Sequence, residues 1–321
     1  MTNKESISQR HTPERKLPGL FDLTGRVAVV TGGAGLLGEE FCRTLAEAGA
    51  RVVIADINSP AAKKVADSIA KLVSPGSQSG KGRPGGELQP ALSIESNVTD
   101  PTSVQNMVSD VLRAFGRLDI LVNCAALDPK FDPQHTLDRQ STTAKSQPIA
   151  GVALDASENS QGFEDFPLET WNQALTVNLT GVFLCCQAAI KPMLIQGGGV
   201  IVNLSSIYGL VAPDQRIYQR PRQPAQYKPA YYSVTKSGIL GLTRYLATYY
   251  AGKNIRVNAI SPGGVYNDHD QDFVQAYSAR SVLGRMAEKD EINGALLFLV
   301  SDASKYMTGA NLVIDGGWTA W

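Results

Sequence analysis

The chain has few cysteines and histidines, and their spacing argues against metal and disulfide chemistry. Of its 321 residues, only four are cysteine and three are histidine, and no Cys-x-x-Cys pair occurs. We therefore expect neither a zinc site nor a disulfide framework, so the sequence predicts no metal and a reducing, cytoplasmic location.

An excess of charge of one sign is also lacking, as is any long apolar run. Thirty Lys and Arg balance 30 Asp and Glu, which argues against a nucleic-acid partner. No uninterrupted apolar stretch suggests a membrane span, and the polar residues 1–21 have no secretory h-region. We expect them to form a mobile tail or an arm on a partner subunit. Hydrophobic residues make up 43% of the chain, enough for a sizeable core.

The hydrophobic pattern predicts alternating strands and helices. Residues 26–31 form a β-branched run, 36–48 repeat apolar residues at helical spacing, and 51–56 form a second apolar run. This βαβ unit implies a parallel sheet. Further strands are predicted at 91–96, 118–123, 200–205, 255–260 and 311–315, and further helices at 60–73, 101–115, 168–195, 230–251, 271–282 and 288–301. We expect a single doubly wound α/β domain of about seven strands over residues 22–321.

Three segments interrupt this alternation, near 74–90, 127–165 and 209–229. The first is rich in Gly, Ser and Pro and is predicted to be a flexible surface loop. The other two follow strand carboxyl ends, where open α/β sheets bind ligands. We expect these two insertions to be functional.

The stretch TGGAGLLG (31–38) fits two glycine motifs. Gly33, Gly35 and Gly38 match G-x-G-x-x-G, the dinucleotide-binding pattern, whereas Gly32, Gly35 and Gly38 match a spacing typical of nucleotide-sugar epimerases and dehydratases. Glycines here allow a tight turn and a close approach of the backbone to a pyrophosphate, which the helix N-terminus then binds. Because the stretch joins a predicted strand to a predicted helix, it indicates a dinucleotide site.

Asp56 ends the second predicted strand, 18 residues after Gly38. A carboxylate at this position accepts hydrogen bonds from the adenosine ribose and repels a 2′-phosphate. No Arg or Lys in the glycine stretch offsets that repulsion, so the sequence predicts NAD as the cofactor rather than NADP.

Tyr232 and Lys236 lie four residues apart in YYSVTKSG (231–238), on one face of a predicted helix. A nearby ammonium favours the phenolate and lowers a tyrosine pKa. A Tyr-x-x-x-Lys pair can arise by chance, so it indicates a catalytic site only together with other motifs in the chain.

Together these motifs resemble the classical short-chain dehydrogenase/reductase family, whose motifs occur here in the family's order. The segments are TGGAGLLG (31–38), SNVTD (96–100), LVNCAA (121–126), VNLTG (177–181), IVNLSS (201–206), the Tyr232–Lys236 pair and SPGGV (261–265). The resemblance covers roughly residues 22–318 and implies a Rossmann-type fold. It implies that Tyr232 is the general acid/base, Lys236 holds the nicotinamide ribose, Ser206 orients the substrate oxygen and Asn178 holds a water that relays the proton.

The same resemblance implies a set of cofactor contacts along the strand ends. Asn97 replaces the family's usual adenine-binding aspartate, and Asn123-Cys124-Ala125-Ala126 replaces its usual N-N-A-G. The predicted cofactor residues are Gly32, Gly33, Gly35, Leu36, Leu37, Gly38, Asp56, Ile57, Asn97, Val98, Asn123, Ala125, Ala126, Tyr232, Lys236, Pro262, Gly263 and Val265.

A finer resemblance is to a bacterial subgroup of flagellin-modification or nonulosonate-sugar oxidoreductases. It implies a small-molecule, sugar-like substrate, interconverted between secondary alcohol and ketone. Charged residues of the third insertion (Asp214, Arg216, Arg220, Arg222 and Lys228) suit an anionic substrate, a solvated loop or a subunit contact equally well. Tyr208 and Tyr218 either stack on a sugar or pack the loop.

The family resemblance also implies a homotetramer or homodimer, packed through the helices near 168–195 and 230–251. The tryptophans of GGWTAW (316–321) are interpreted as exposed anchors of a subunit interface. Two alternatives stay open: an epimerase or dehydratase that retains its NAD, which the short C-terminus disfavours, and a non-catalytic NAD-binding protein.

Overall fold

The computed structural model describes residues 17–73, 89–128, 162–220 and 225–321. Most of the predicted tail, most of the first two insertions and Arg222 therefore lie outside the described residues. The seven strands are β1 (Val27–Thr31), β2 (Arg51–Asp56), β3 (Ala91–Glu95), β4 (Ile120–Asn123), β5 (Gly199–Leu204), β6 (Ile255–Pro262) and β7 (Asn311–Ile314). They form one parallel sheet in the order β3-β2-β1-β4-β5-β6-β7, and the predicted fold class is confirmed.

Eight α-helices connect these strands in the described part of the chain. They are α1 (Leu36–Glu47), α2 (Ser59–Leu72), α3 (Pro101–Phe115), α4 (Leu168–Leu175), α5 (Gly181–Ile195), α6 (Ala230–Tyr249), α7 (Gln271–Ser278) and α8 (Asn293–Val300). Local capping fixes several of the boundaries. The Asn58 side chain accepts the Ala61 N–H at the start of α2, and Asp100 caps α3 by accepting the Thr102 N–H.

The central strands are buried on both faces, which explains their continuous apolar sequences. All five residues of β1 are buried, and Val29 pairs in register with Val53 of β2 and Leu121 of β4. Val29, Val53 and Leu121 face α3, α5 and α6. Val30 and Ile54 face the opposite side, toward α1, α2 and α8. The sheet therefore separates two apolar cores.

The strand order reverses direction at β1, because the chain first builds outward to β3 and then returns to add β4 on the other side. Helices on opposite faces leave a crevice beyond the carboxyl ends of β1 and β4. This reversal is where doubly wound folds bind their ligands, and it brings the glycine turn near the end of β4.

The structure differs from the sequence prediction in three helices. The predicted helix 168–195 is interrupted by a π-helical segment, Thr176–Thr180, which contains Asn178. The predicted helix 271–282 ends at Ser278. After it, the N–H groups of Arg280 and Ser281 bond to carbonyls three residues back, and the Ser281 hydroxyl donates to the Gly316 carbonyl. The helix predicted at 288–301 begins later, at residue 293.

The stretch Leu168–Ile195 is the one helical stretch among the described residues that is long and apolar enough to cross a membrane, with a mean hydropathy of 1.4. Half of it is buried inside the fold, and Cys185, Ile190 and Met193 belong to one of the two apolar cores. Its apolar character is therefore accounted for by packing against the sheet.

Candidate active site

The glycine turn after β1 depends on two positions where a side chain has no room. Gly32 has φ +64°, and a Cβ there would lie 2.7 Å from the Ala125 Cα. A Cβ on Gly38 would lie 2.0 Å from the Gly32 carbonyl oxygen. These two glycines let the end of β1, the end of β4 and the first turn of α1 approach each other closely.

The N-terminus of α1 is open toward the crevice. Its N-cap, Gly35, contributes no side-chain hydrogen bond, and helix geometry leaves the N–H groups of Leu36, Leu37 and Gly38 without intrahelical acceptors. Such N–H groups and the positive end of the helix dipole favour a phosphate. The residues present therefore fit the pyrophosphate of a dinucleotide.

Asp56 lies at the end of β2 beside this turn. Its Oδ2 accepts the Ala34 N–H at 3.0 Å, and its Oδ1 accepts the Asn58 N–H at 2.9 Å. Two carboxylate oxygens offer about four acceptor positions, so the side chain can hold the turn and still accept ribose hydroxyls. Ile57 follows it at the surface of the same crevice, partly buried.

The predicted adenine wall follows β3 and β4. Asn97 uses its carbonyl oxygen within its own turn, accepting the Thr99 N–H at 3.0 Å and the Thr99 hydroxyl at 2.8 Å. Val98 is buried, and its side chain would contact a Cβ added at Gly181 of α5. Asn97 and Val98 therefore follow the end of β3, and the side-chain oxygen of Asn97 is already engaged with Thr99.

The end of β4 is tied to its neighbours by side chains. Asn123 donates to the Asn203 side chain of β5 at 2.8 Å, and Thr31 accepts the Ala125 N–H at 3.4 Å. Ala126, the next residue, is exposed. The Asn123 side chain thus ties β4 to β5, and Ala125 and Ala126 follow directly at the end of β4.

The end of β6 forms the opposite wall. Pro262 is buried, Gly263 donates its N–H to the Ile314 carbonyl of β7 at 2.8 Å, and Val265 forms a bridge with Ala287. The Tyr277 hydroxyl contacts the Gly264 N–H just beyond. Hydrogen bonds and a β-bridge therefore connect this wall to β7, Ala287 and Tyr277.

The predicted catalytic side chains come together between β5 and α6. Ser206 lies two residues after β5, in an extended conformation at the N-cap of a short 3-10 helix, and interacts with the Tyr232 phenol. The Lys236 ammonium lies 5.6 Å from the Tyr232 ring centroid and donates to the Leu204 carbonyl at 3.0 Å. Ser205 does not face Tyr232 in this way, because its hydroxyl donates to the Lys236 carbonyl at 2.8 Å.

Burial dominates the acid–base properties of this cluster. It raises the pKa of Tyr232 well above the usual value, with Asp128 the next contributor. It also lowers the pKa of Lys236 to about 8. The sequence predicts a lowered tyrosine pKa, whereas the pKa of Tyr232 is raised, because the loss of solvent around the buried phenol outweighs the hydrogen bond from Ser206 that lowers it. A cationic ring beside the phenol would shift its pKa downward again.

Asn178 lies in the π-helical segment and clamps the chain after β4. Its side chain accepts the Leu127 N–H at 2.6 Å and donates to the Leu127 carbonyl at 3.0 Å. Single π turns inside α-helices are frequent at functional sites. The side chain is thus committed to positioning Leu127, and any water-holding role falls to its main chain.

An aromatic cluster covers the site from the third insertion and the C-terminus. The Tyr218 hydroxyl donates to that of Tyr208 at 2.9 Å, and Tyr208 packs edge-to-face against Tyr232. Trp318 is only 5% exposed and stacks on Tyr277 at 4.2 Å. The exposed-anchor interpretation is therefore wrong for Trp318, which closes the site, whereas Trp321 is exposed.

The charges of the third insertion are mostly paired within the chain. Arg216 binds Asp214 at 2.8 Å and is largely exposed, and Arg220 binds Asp270 at 2.7 Å. Lys228 differs from these arginines in its position, because its ammonium lies beside Tyr232, 4.0 Å from the ring centroid. The contact of Lys228 with Asp128 is a feature that the sequence analysis missed, since the two residues are 100 positions apart.

This geometry suits proton transfer at a substrate oxygen beside a bound dinucleotide. The N-terminus of α1, the Asp56 carboxylate and the Ser206–Tyr232–Lys236 cluster all lie at the carboxyl ends of the strands.

Comparison with known proteins gives a consistent result. A family model described as enoyl-(acyl carrier protein) reductase matches residues 33–147 and 148–319. The D-threitol dehydrogenase of Mycolicibacterium smegmatis is 34% identical over 93% of this chain and 95% of its own length. The cis-4-hydroxycyclohexanecarboxylate dehydrogenase of Sinomonas cyclohexanicum is 34% identical over 92% and 97%. The NAD-dependent glycerol dehydrogenase of Listeria innocua is 29% identical over 93% and 96%.

Solved structures are similar over nearly the whole chain. A short-chain type dehydrogenase/reductase from Mycobacterium marinum has a TM-score of 0.73 and 31% identity, covering 96% of this chain and 100% of its own. A gluconate 5-dehydrogenase from Burkholderia cenocepacia, in complex with NADP and tartrate, has a TM-score of 0.72 and 26% identity, covering 95% and 99%. A short-chain dehydrogenase from Leptospira borgpetersenii with bound NAD⁺ has a TM-score of 0.69 and 28% identity, covering 96% and 98%.

Proposed function

Because the chain belongs to the classical short-chain dehydrogenase/reductase family, we propose that it is an NAD-dependent dehydrogenase of a sugar-like or polyol secondary alcohol. The fold binds a nicotinamide cofactor in its relatives, and the relatives named above are oxidoreductases. The observation that carries the proposal is the convergence of Ser206, Tyr232 and Lys236 beside the open N-terminus of α1.

The proposed chemistry assigns one task to each side chain. Bound NAD⁺ would accept the hydride from the carbinol carbon. Tyr232 would take the hydroxyl proton, and in the reverse direction return it to the ketone oxygen. The Ser206 hydroxyl would hold that oxygen and stabilise its developing charge. Lys236 would leave the Leu204 carbonyl to hold the ribose, and its charge would then favour the Tyr232 phenolate.

Proton exchange with solvent would pass Asn178. We propose that its main chain holds a water linked to Lys236, because its side chain is committed to Leu127. The π-helical segment supports this placement, since such a turn changes the regular hydrogen bonding of a helix at one point.

The preference for NAD over NADP rests on Asp56. Its carboxylate lies beside the glycine turn, and residues 57–59 after it include no Arg or Lys. A 2′-phosphate would meet this negative charge without a nearby cation. Solved structures of relatives include both an NADP complex and an NAD⁺ complex. Membership of the family therefore does not select the cofactor, and the proposed preference for NAD rests on Asp56 and its surroundings in this chain.

A polyol or cyclic alcohol substrate agrees with the names of several relatives, including dehydrogenases of D-threitol, glycerol and cis-4-hydroxycyclohexanecarboxylate. The finer assignment to flagellin-modification or nonulosonate enzymes stays a prediction. A homotetramer or homodimer through α4, α5 and α6 is likewise proposed, and exposed Phe183, Tyr245 and Tyr249 on these helices support it.

The proposal is tested by following NADH and NADPH absorbance with a panel of polyols, cyclic secondary alcohols and sugars. We expect NADH formation, and a loss of about 10²-fold or more in kcat for Tyr232→Phe with NADH binding retained. Tyr306→Phe, at a fully exposed tyrosine outside the site, is the matched control and should behave as wild type. Product without net NADH would favour the epimerase alternative, and full activity of Tyr232→Phe would refute the assignment.

A further inference from the structure

An ion pair lies beside the catalytic tyrosine without a part in the chemistry described above. Lys228 is nearly buried, with 8% of its side chain exposed, and its ammonium contacts Asp128 directly. The same ammonium lies 4.0 Å from the Tyr232 ring centroid. The Asp128 side chain is 53% exposed, so part of it remains open to contact by another molecule.

Side-chain hydrogen bonds hold the backbone of Lys228 and the backbone just before Asp128 in place. Gln215 accepts the Lys228 N–H at 2.8 Å and donates to the Lys228 carbonyl at 3.0 Å. Asp128 directly follows Leu127, whose N–H and carbonyl both bind Asn178. The pair therefore has a fixed position relative to Tyr232, which a binding site requires.

The chemistry of the pair selects a hydroxyl group. A hydroxyl accepts a hydrogen bond from an ammonium and donates one to a carboxylate at the same time. A carboxylate or phosphate at this place would instead meet the negative charge of Asp128. The described arginines of the insertion add no anion site here, because Arg216 and Arg220 bind Asp214 and Asp270.

We propose that Lys228 and Asp128 together bind a hydroxyl on the carbon next to the reacting carbon, so that the preferred substrates are vicinal diols and polyols. This inference rests on the proposed dehydrogenase function and specifies its substrate. The hydroxyl would bind at the ammonium beside the Tyr232 ring while the neighbouring oxygen lies at the phenol and Ser206.

The test compares a substrate pair that differs by one hydroxyl, cis-1,2-cyclohexanediol and cyclohexanol, with NAD⁺ as the second substrate. Wild type should prefer the diol. Lys228→Met and Asp128→Asn should each lower kcat/KM for the diol by about 10- to 100-fold, the loss expected for one hydrogen bond to a charged group. The loss should lie mainly in KM, and cyclohexanol, measured at a pH above the acid limb of both proteins, should change by less than about threefold.

Lys63→Met is the matched control, because Lys63 forms an exposed ion pair with Asp67 on α2, away from the site. It should leave both substrates unchanged. The double variant of Lys228 and Asp128 should lose little more than either single variant, since the two side chains bind one group.

Several results would overturn the inference while leaving the dehydrogenase function intact. These are equal losses on both substrates, a wild type that does not prefer the diol, or a loss confined to a carboxylate substrate such as cis-4-hydroxycyclohexanecarboxylate. The wild-type preference is decisive even where a variant does not fold. A wild type that reduces neither NAD⁺ nor NADP⁺ with any alcohol would instead refute the proposed function.

Discussion

Replacing Gly38 by alanine should damage the cofactor site more than it damages the fold. The added Cβ would lie 2.0 Å from the Gly32 carbonyl oxygen and 2.9 Å from the Gly33 Cα. Both neighbours are backbone atoms of the glycine turn and cannot move aside as a flexible side chain would. To reach ordinary contact at 3.4 Å, the first turn of α1 must move by about 1.4 Å relative to the end of β1.

The cost follows from two opposing effects. Overpacking of this kind costs about 1–3 kcal/mol, and a contact this short belongs at the upper end. Alanine regains about 1 kcal/mol through helix propensity. A net loss of about 2 kcal/mol corresponds to a Tm lowered by about 3–6 °C. Displacing the open N–H groups of Leu36 and Leu37 should cost at least one hydrogen bond to a phosphate, raising the Kd for NADH by about tenfold or more.

Gly294→Ala is the matched control. Gly294 lies in the first turn of α8, and a Cβ there would meet nothing within 4 Å. It should bind NADH as wild type does and gain up to about 1 kcal/mol of stability. Thermal unfolding and titration of NADH fluorescence measure both properties. A Gly38→Ala protein that binds NADH within twofold of wild type would refute the close-approach argument.

Three further predictions concern charged groups. Asp119 is 4% exposed and accepts hydrogen bonds from the Val27 N–H and from Arg117, so Asp119→Ala should lower the free energy of unfolding in urea by about 2–4 kcal/mol. Asp128 raises the pKa of Tyr232, and Asp128→Asn should therefore move the acid limb of kcat/KM for a monohydric alcohol to lower pH. Asp56→Ala should raise the ratio of NADP to NAD efficiency by about tenfold or more, measured as kcat/KM with each cofactor.

Each of these has its own control or contrary result. Asp119→Asn keeps an acceptor for Val27 and should lose less stability than the alanine variant. An acid limb that shifts upward on Asp128→Asn would contradict the sign, because removal of a negative charge must favour the phenolate. Unchanged cofactor discrimination in Asp56→Ala would show that Asp56 only supports the glycine turn through its bond to Ala34.

Local sequence pattern is sufficient for the sheet and for the cofactor turn. The runs that became β1 and β2 are continuously apolar because both faces of a central parallel strand are buried. Gly32 and Gly38 can be recognised because a tight turn between strand and helix requires glycine whatever surrounds it. Tyr232 and Lys236 are four residues apart, and the helical repeat of 3.6 residues places them on one helix face. All of these features depend on neighbours along the chain.

Other features arise only when distant segments meet. The π-helical segment at Asn178 is not visible in an apolar pattern that reads as one continuous helix. Trp318 looks like an exposed anchor in the sequence and is buried against Tyr277. The pKa of Tyr232 follows from desolvation, which no short motif encodes.

The sequence by itself determined the fold class and the family resemblance and predicted the candidate catalytic side chains, because these depend on periodicity and on motifs of fixed spacing. Only the tertiary structure decided which charges lie beside Tyr232. Lys228 and Asp128 are 100 positions apart, and Arg216 resembles Lys228 in charge but lies in a different environment. Burial and pairing decide what a charge can bind, and both are properties of the folded chain.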